Sequence, residues 1–211
     1  MITCMDFTQP AELEAPAPPE ARGLARDGVR LLVSRAGAGT LEHHRFTDLP
    51  RLLLPGDLLV NNAGTLGAAP LPALADYPPE ELRAAFEANV IAPVALTQLF
   101  LPALRERGGA VLNITSDAAI EPYAGWGGYG AAKAALEQAS NVLAAEETAI
   151  RVWWVDPGDL RTDMHQAAFP GEDISDRPLP ESVVPAFVRL VTERLPSGRY
   201  RAADLTGADP G

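Results

Sequence analysis

The stretch Ala110-Val111-Leu112-Asn113-Ile114-Thr115-Ser116, the later Tyr129-Gly130-Ala131-Ala132-Lys133 and the run Ile150-Arg151-Val152-Trp153-Trp154-Val155 decide the fold class. Residues 110–115 form a short apolar run after Gly108-Gly109, which suits a buried strand, and 129–145 are rich in Ala and Leu, which suits a helix. Residues 150–155 read as a second strand, ended by Asp156-Pro157-Gly158, where proline and glycine turn the chain outward. Upstream, residues 80–107 follow Pro78-Pro79 with an acidic first turn and carry Leu82, Phe86, Val90, Val94, Leu96 and Leu99, the spacing of a long helix. Alternation of strand and helix predicts a parallel α/β sheet.

Working outward, residues 166–180 are rich in Pro, Gly, Asp and Ser and read as an irregular surface loop able to cover a pocket. Residues 181–194 have helical spacing at Val184, Phe187, Val188 and Val191, and Arg199-Tyr200-Arg201 suits a short edge strand. The first sixty residues differ. After a Pro- and Ala-rich opening come two β-like runs, 29–34 and 41–46, with Ala36-Gly37-Ala38-Gly39 as a hairpin turn between them. Thr47-Asp48 suits the cap of a short helix to residue 54, and Pro55-Gly56-Asp57 turns into the apolar run Leu58-Leu59-Val60.

Composition bounds the function. The 211 residues carry a net charge of −11 and are 47% hydrophobic, enough for a core and against a disordered chain. So acidic a chain repels phosphate backbones, and no nucleic-acid partner is expected. Cys4 is the only cysteine and the first residues lack a secretory pattern, so a cytoplasmic protein is expected. The most apolar stretch, 90–104, is short and interrupted by Pro93, Thr97, Gln98 and Pro102, so no membrane span is expected.

The 17 basic residues include one lysine, Lys133, the rest being arginine. An exposed cation can be either residue, whereas a compact amine with a tunable pKa cannot be replaced by guanidinium, so Lys133 is a candidate functional group. Tyr129 precedes it by four residues and shares its helix face, where the ammonium is expected to lower the phenol pKa toward neutrality. Ser116, just past the 110–115 strand, stands where active-site residues of parallel sheets collect and can hold a carbonyl oxygen. Tyr123, Trp126, Met164, His165 and Phe169 flank the expected pocket. His43-His44 point to opposite faces of a strand and do not chelate one metal; Asp156, Asp159 and Asp163 read as solvated loop carboxylates, so no metal is expected.

Together with Asn61-Asn62-Ala63-Gly64, Asn89, Pro157-Gly158 and Thr162, these residues resemble the short-chain dehydrogenase/reductases over about residues 58–205. The resemblance implies a Rossmann-like fold and NAD- or NADP-dependent hydride transfer between the alcohol and carbonyl forms of a small molecule. It implies that Tyr129 donates or accepts the proton, Lys133 supports it and binds the nicotinamide ribose, Ser116 orients the substrate oxygen and Asn89 organises a proton relay. By the same resemblance Asn62, Ala63 and Gly64 line the cofactor, Pro157, Gly158 and Thr162 hold its nicotinamide end, and Tyr123 and Phe169 shape the substrate site. A homodimer or homotetramer through the helices at 80–107 and 129–145 is likewise implied.

That family begins with a strand, a glycine-rich phosphate loop and further βα units, which need on the order of 70 residues or more. Only sixty precede Asn61, without a Gly-x-x-x-Gly-x-Gly loop opening a helix. Residues 6–66 instead resemble the S-adenosylmethionine:tRNA ribosyltransferase-isomerases. The match runs through Phe7, Arg30-Leu31-Leu32-Val33, Leu41-Glu42-His43-His44-Arg45-Phe46-Thr47-Asp48-Leu49-Pro50 and Leu54-Pro55-Gly56-Asp57-Leu58-Leu59-Val60-Asn61-Asn62. The chain therefore reads as a chimera, with a segment 1–57 and a reductase-like half 58–211 packed as one compact domain. The expected fold is α/β: a truncated Rossmann-like parallel sheet with helices on both faces, extended by the N-terminal hairpin into a mixed sheet. Two functions stay open, an NAD(P)-dependent oxidoreductase and a catalytically silent binding or structural module lacking the dinucleotide phosphate site.

Overall fold

The structure, a computed structural model, describes residues 30–35, 40–45 and 58–206. The chain divides into two compact units, Met1–Leu53 and Leu54–Gly211. In the first, β1 (Arg30–Arg35) and β2 (Thr40–Arg45) pair antiparallel, with Arg30 opposite Arg45 and Arg35 opposite Thr40. The connecting residues 36–39 and the short helix expected near 47–54 lie outside the described residues.

The second unit is built on β3 (Leu58–Asn61), β4 (Ala110–Ile114), β5 (Arg151–Asp156) and β6 (Gly198–Arg201), in the spatial order β3-β4-β5-β6. All three pairings are parallel. The expected mixed sheet is therefore corrected: among the described residues the four-stranded sheet is parallel throughout, and the antiparallel pair β1–β2 is a two-stranded sheet. Strands adjacent in sequence satisfy each other's N–H and C=O groups locally, whereas every strand of the larger sheet is returned to its neighbour by a helical crossover, which enforces parallel pairing.

One long helical segment crosses from β3 to β4: α1 (Pro79–Phe86), a π-helical turn at Glu87–Ile91 and α2 (Ala92–Arg107). At the wide turn the Ala92 N–H donates to the Glu87 carbonyl, five residues back. Pro93 follows, and its ring nitrogen has no N–H for the Asn89 carbonyl, so the regular ladder is already broken where the helix widens. The whole segment Pro79–Arg107 is long and apolar enough to cross a bilayer by length and composition, longer than the stretch 90–104 suggested. In this fold it returns the chain to the sheet, with Phe100 and Leu104 buried.

The helix α3 (Gly127–Glu146) crosses from β4 to β5, and a short α4 (Asp163–Ala168) follows β5, so the irregular loop starts at Phe169 rather than 166. A 3-10 turn (Pro180–Val183) leads into α5 (Val184–Thr192), and α6 (Ala202–Leu205) follows β6.

Period-two alternation sorts the strands onto two faces. Ala110, Leu112, Trp153 and Val155 pack with Ala186 and Leu190 of α5 and Ala202 and Leu205 of α6. The opposite face, under α2 and α3, carries a buried polar chain. Asn61 Nδ2 donates to Asn113 Oδ1 (2.7 Å), Asn113 Nδ2 to Ser140 Oγ (2.8 Å) and Ser140 Oγ to the Leu136 carbonyl (2.7 Å). Buried amides of this kind are tolerated because they bond one another, and the chain locks β3, β4 and α3 in register. Trp153 is fully buried and its indole N–H donates to the Leu195 carbonyl at 2.9 Å, a core role for that residue.

Candidate active site

The C-terminal ends of β4 and β5 and the first turns of α3 border one cavity of about 1000 Å³. Ser116, in extended backbone just beyond β4, caps a 3-10 turn: its Oγ accepts from the Ala118 N–H (3.2 Å) and donates to Asp117 Oδ1 (3.1 Å). Helix α3 comes close to that turn because residue 130 is glycine. A Cβ there would stand 2.5 Å from the Ala118 carbonyl oxygen. The approach brings Tyr129 and Lys133, both buried, to the strand end.

Lys133 is only 4% exposed. Its Nζ donates to the Ile114 carbonyl at 2.9 Å and lies 5.5 Å from the centroid of the Tyr129 ring. Burial drives its pKa down to about 8, because the ammonium loses hydration without gaining a carboxylate partner. Tyr129 moves the opposite way, to about 12. Burial is the main cause, the fields of Asp156 and Asp117 add to it, and a hydrogen bond with Ser116 works against it. This corrects the expectation that the ammonium brings the phenol toward neutrality. Nζ sits over the ring rather than at the hydroxyl, and loss of hydration outweighs the attraction. At neutral pH the pair is a protonated phenol beside a mostly protonated amine.

Asn89 lies in the π-helical turn, fully buried. Its Nδ2 donates to the carbonyls of Thr65 (2.8 Å) and Ala85 (2.9 Å), and its Oδ1 accepts from the Thr65 N–H (3.3 Å). It therefore pins the loop after β3. Gly64 fills the gap between that loop and the pair: a Cβ on it would stand 2.6 Å from Asn89 Oδ1 and 3.5 Å from Lys133 Nζ. A wide turn exposes side-chain positions that a regular helix would turn away, which is a physical reason for a π-turn at this place.

The cavity brings together Ser116, Tyr129, Lys133, Asn62, Gly64, Pro157, Gly158, Thr162, Tyr123 and Phe169. Asn89 stands behind its lining, and Ala63 is exposed and does not line it. Thr162 caps α4, accepting from the His165 N–H at 3.1 Å, and Asp156 Oδ1 accepts from the Gly158 N–H at 2.9 Å, which fixes the turn after β5. Tyr129, Trp126, Phe169 and His165 form a chain of ring contacts along one wall, with centroids 4.9 to 6.0 Å apart.

Two partners escape sequence reasoning. Asp117 accepts from both Ser116 and Tyr123 (2.9 Å), and Arg199 on β6 reaches Glu137 and the Ser116 carbonyl. Adjacency to Ser116 was a signal for the first; the second had none. Among the described residues no group of three His, Cys, Asp or Glu is placed to hold a metal.

The residues present fit the nicotinamide-ribose end of a dinucleotide. A buried amine with one carbonyl partner borders the cavity beside the close-packed Gly64 and the fixed Pro157-Gly158 turn.

Comparison with known proteins places residues 47–173 in a match to the family described as short chain dehydrogenase, so the match begins upstream of residue 58. Among curated relatives, the sepiapterin reductase of Bos taurus is 42% identical over 125 residues, covering 57% of this chain and 47% of the relative. That of Meriones unguiculatus is 37% identical over 158 residues, covering 71% of this chain and 60% of the relative. The chain thus spans about half of these relatives' length. Among solved structures, an oxidoreductase of Escherichia coli superposes with a TM-score of 0.68 at 30% identity, covering 74% of this chain and 67% of that one. A Shigella flexneri short chain dehydrogenase complexed with NADP also gives 0.68 at 30% identity, covering 74% and 69%.

Proposed function

Because the chain belongs to the short chain dehydrogenase family, we propose that it is an NADPH-dependent reductase of a small carbonyl compound. The observation that carries this reading is the convergence of Ser116, Tyr129 and Lys133 on one cavity, with Asn89 bracing the loop behind Gly64. NADPH is favoured over NADH by the relatives whose structures are described as complexed with NADP and NADPH. Asn62, Gly64, Lys133, Pro157, Gly158 and Thr162 would hold the nicotinamide end, and when bound the dinucleotide supplies the hydride.

This chain's own residues supply the proton and the orientation. Ser116 Oγ, its one hydrogen turned from Asp117 to the substrate, holds the carbonyl oxygen near the phenol. Tyr129, protonated at neutral pH with a pKa of about 12, is in the form that reduction requires: its O–H bond breaks as the alcohol O–H forms. Lys133 steadies the phenolate that remains, and Asn89 keeps the Gly64 loop from closing over it. The ring wall of Trp126 and Phe169 excludes water and suits a planar substrate; sepiapterin, the compound named by the relatives, is the first probe.

A silent module is the competing reading, favoured by one observation: among the described residues the parallel sheet ends at β3, and no strand lies beyond it. Titration with NADPH, following its fluorescence, separates the two. Saturable micromolar binding that is lost in Lys133→Ala, with turnover lost but binding kept in Tyr129→Phe, is the expected result. No binding up to millimolar NADPH would overturn the reductase reading.

A further inference from the structure

Arg199 lies on edge strand β6, outside every motif recognised in the sequence, yet its guanidinium meets the cavity rim at Ser116 and Asp156 and helix α3 at Glu137. Its Nε donates to Glu137 Oε1 at 2.9 Å, and the same carboxylate oxygen accepts from Thr115 Oγ1 at 2.8 Å. Its Nη2 donates to the Ser116 carbonyl at 3.4 Å and stands 3.7 Å from Asp156 Oδ2. The other Asp156 oxygen holds the Gly158 N–H. One cation therefore ties the end of β4, the middle of α3 and the turn after β5 to β6.

The charge balance makes this more than packing. The Glu137 and Asp156 side chains are 12% and 5% exposed, and Arg199 is 23% exposed. Arg201 also approaches Asp156, at 3.8 Å, but is 57% exposed. Two largely buried carboxylates thus share Arg199 as counter-charge, and losing it leaves a buried negative charge uncompensated. Glu137 follows Lys133 by one helical turn, so it neighbours the amine along α3. Asp156 and Asp117 already act on Tyr129.

We propose that Arg199 is a positioning residue, which clamps Ser116 and the Asp156-Pro157-Gly158 turn in register with Tyr129 and neutralises Glu137, one helical turn from Lys133, and Asp156, whose field acts on Tyr129. Its kinetic consequence rests on the reductase reading; its electrostatic consequence does not.

The sole lysine supplies the reporter. Selective labelling with 15N-lysine gives one Nζ signal from the folded protein, whose pH midpoint reads Lys133 directly. Arg199→Met is expected to raise that midpoint by on the order of one pH unit, because uncompensated negative charge favours the ammonium. It is also expected to lower NADPH-dependent kcat about tenfold with KM little changed, the pattern of an interaction realised in the transition state. Adding Glu137→Gln to Arg199→Met is expected to bring the midpoint back. A merely structural arginine would lower the denaturation midpoint and leave the Nζ midpoint alone, and that result in folded Arg199→Met would overturn the proposal. Should Arg199→Met fail to fold, Glu137→Gln alone is expected to lower the Nζ midpoint, and an unchanged value would overturn it equally. Wild-type protein without NADPH turnover would sink the reductase reading, and the Nζ midpoints would still decide the clamp.

Discussion

Replacing Lys133 by Met should remove from the stability of this protein a pH dependence that belongs to one buried amine. In the folded state the Lys133 pKa is about 8, against an ordinary 10.5. The unfolded chain therefore holds more protons than the folded one between these values, and wild-type stability rises with pH across the window. Below about pH 8 the folded protein carries the whole cost of a desolvated ammonium. The gap of about two to three pH units, at about 1.4 kcal/mol each, amounts to about 3 kcal/mol. By linkage nearly all of that cost is present at pH 7 and about 1 kcal/mol of it is left at pH 10. Lys133→Met lacks this dependence. It also strands the Ile114 carbonyl, which costs about 1–3 kcal/mol, but that loss does not vary with pH and cancels from the comparison. Urea denaturation followed by tryptophan fluorescence is the assay, since Trp126, Trp153 and Trp154 all lie in the unit Leu54–Gly211. The wild-type protein should gain about 2–3 kcal/mol on the variant between pH 7 and pH 10. Tyr129, whose raised pKa erodes stability as pH climbs from 10 through about 12, is common to both proteins and lies beyond the range used. A stability difference that stays flat across this range would refute the picture of Lys133 as an amine charged against a low-dielectric surrounding.

Three further outcomes are expected. Gly64→Ala drives a methyl group into Asn89 Oδ1 and should cost about 1–3 kcal/mol in urea denaturation together with NADPH affinity, with unaltered stability counting against the packing described. Asn113→Ala removes two buried hydrogen bonds, leaving Asn61 Nδ2 only its longer bond to Thr97 Oγ1 (3.4 Å) and Ser140 Oγ only its donation to the Leu136 carbonyl, and should destabilise by about 1–3 kcal/mol, measured in the same way. Asp117→Asn removes one of the two carboxylates that raise Tyr129, so the alkaline ionisation assigned by difference from Tyr129→Phe should move down from about 12 in an ultraviolet titration.

The reductase core was legible because its signals are local. Apolar runs with the right periods mark β4, α3 and β5, and Tyr129 and Lys133 at a four-residue spacing share a helix face in any context. Asn89 was legible as a residue but its π-turn was not, since helical spacing looks the same whether a hydrogen bond spans four residues or five. The direction of the Tyr129 shift was misjudged for a related reason: spacing places a cation near a phenol, and only coordinates say how much water both have lost.

By itself the amino-acid sequence determined the alternation of β4, α3 and β5, hence a parallel sheet, and singled out Ser116, Tyr129 and Lys133 as candidates, while Asn89 was singled out by the family resemblance. The alternation and those three candidates follow from periodicity and side-chain chemistry, which act between near neighbours. Tertiary structure alone decided that the four-stranded sheet is parallel at every described pairing, β3 and β6 included, that Gly64 stands against Asn89, and that Arg199 joins Glu137, Ser116 and Asp156 across up to 83 residues of chain. Strand partnership and long-range ion pairs depend on which backbone edges and charges remain unsatisfied after the local structure has formed, and no stretch of sequence carries that balance alone.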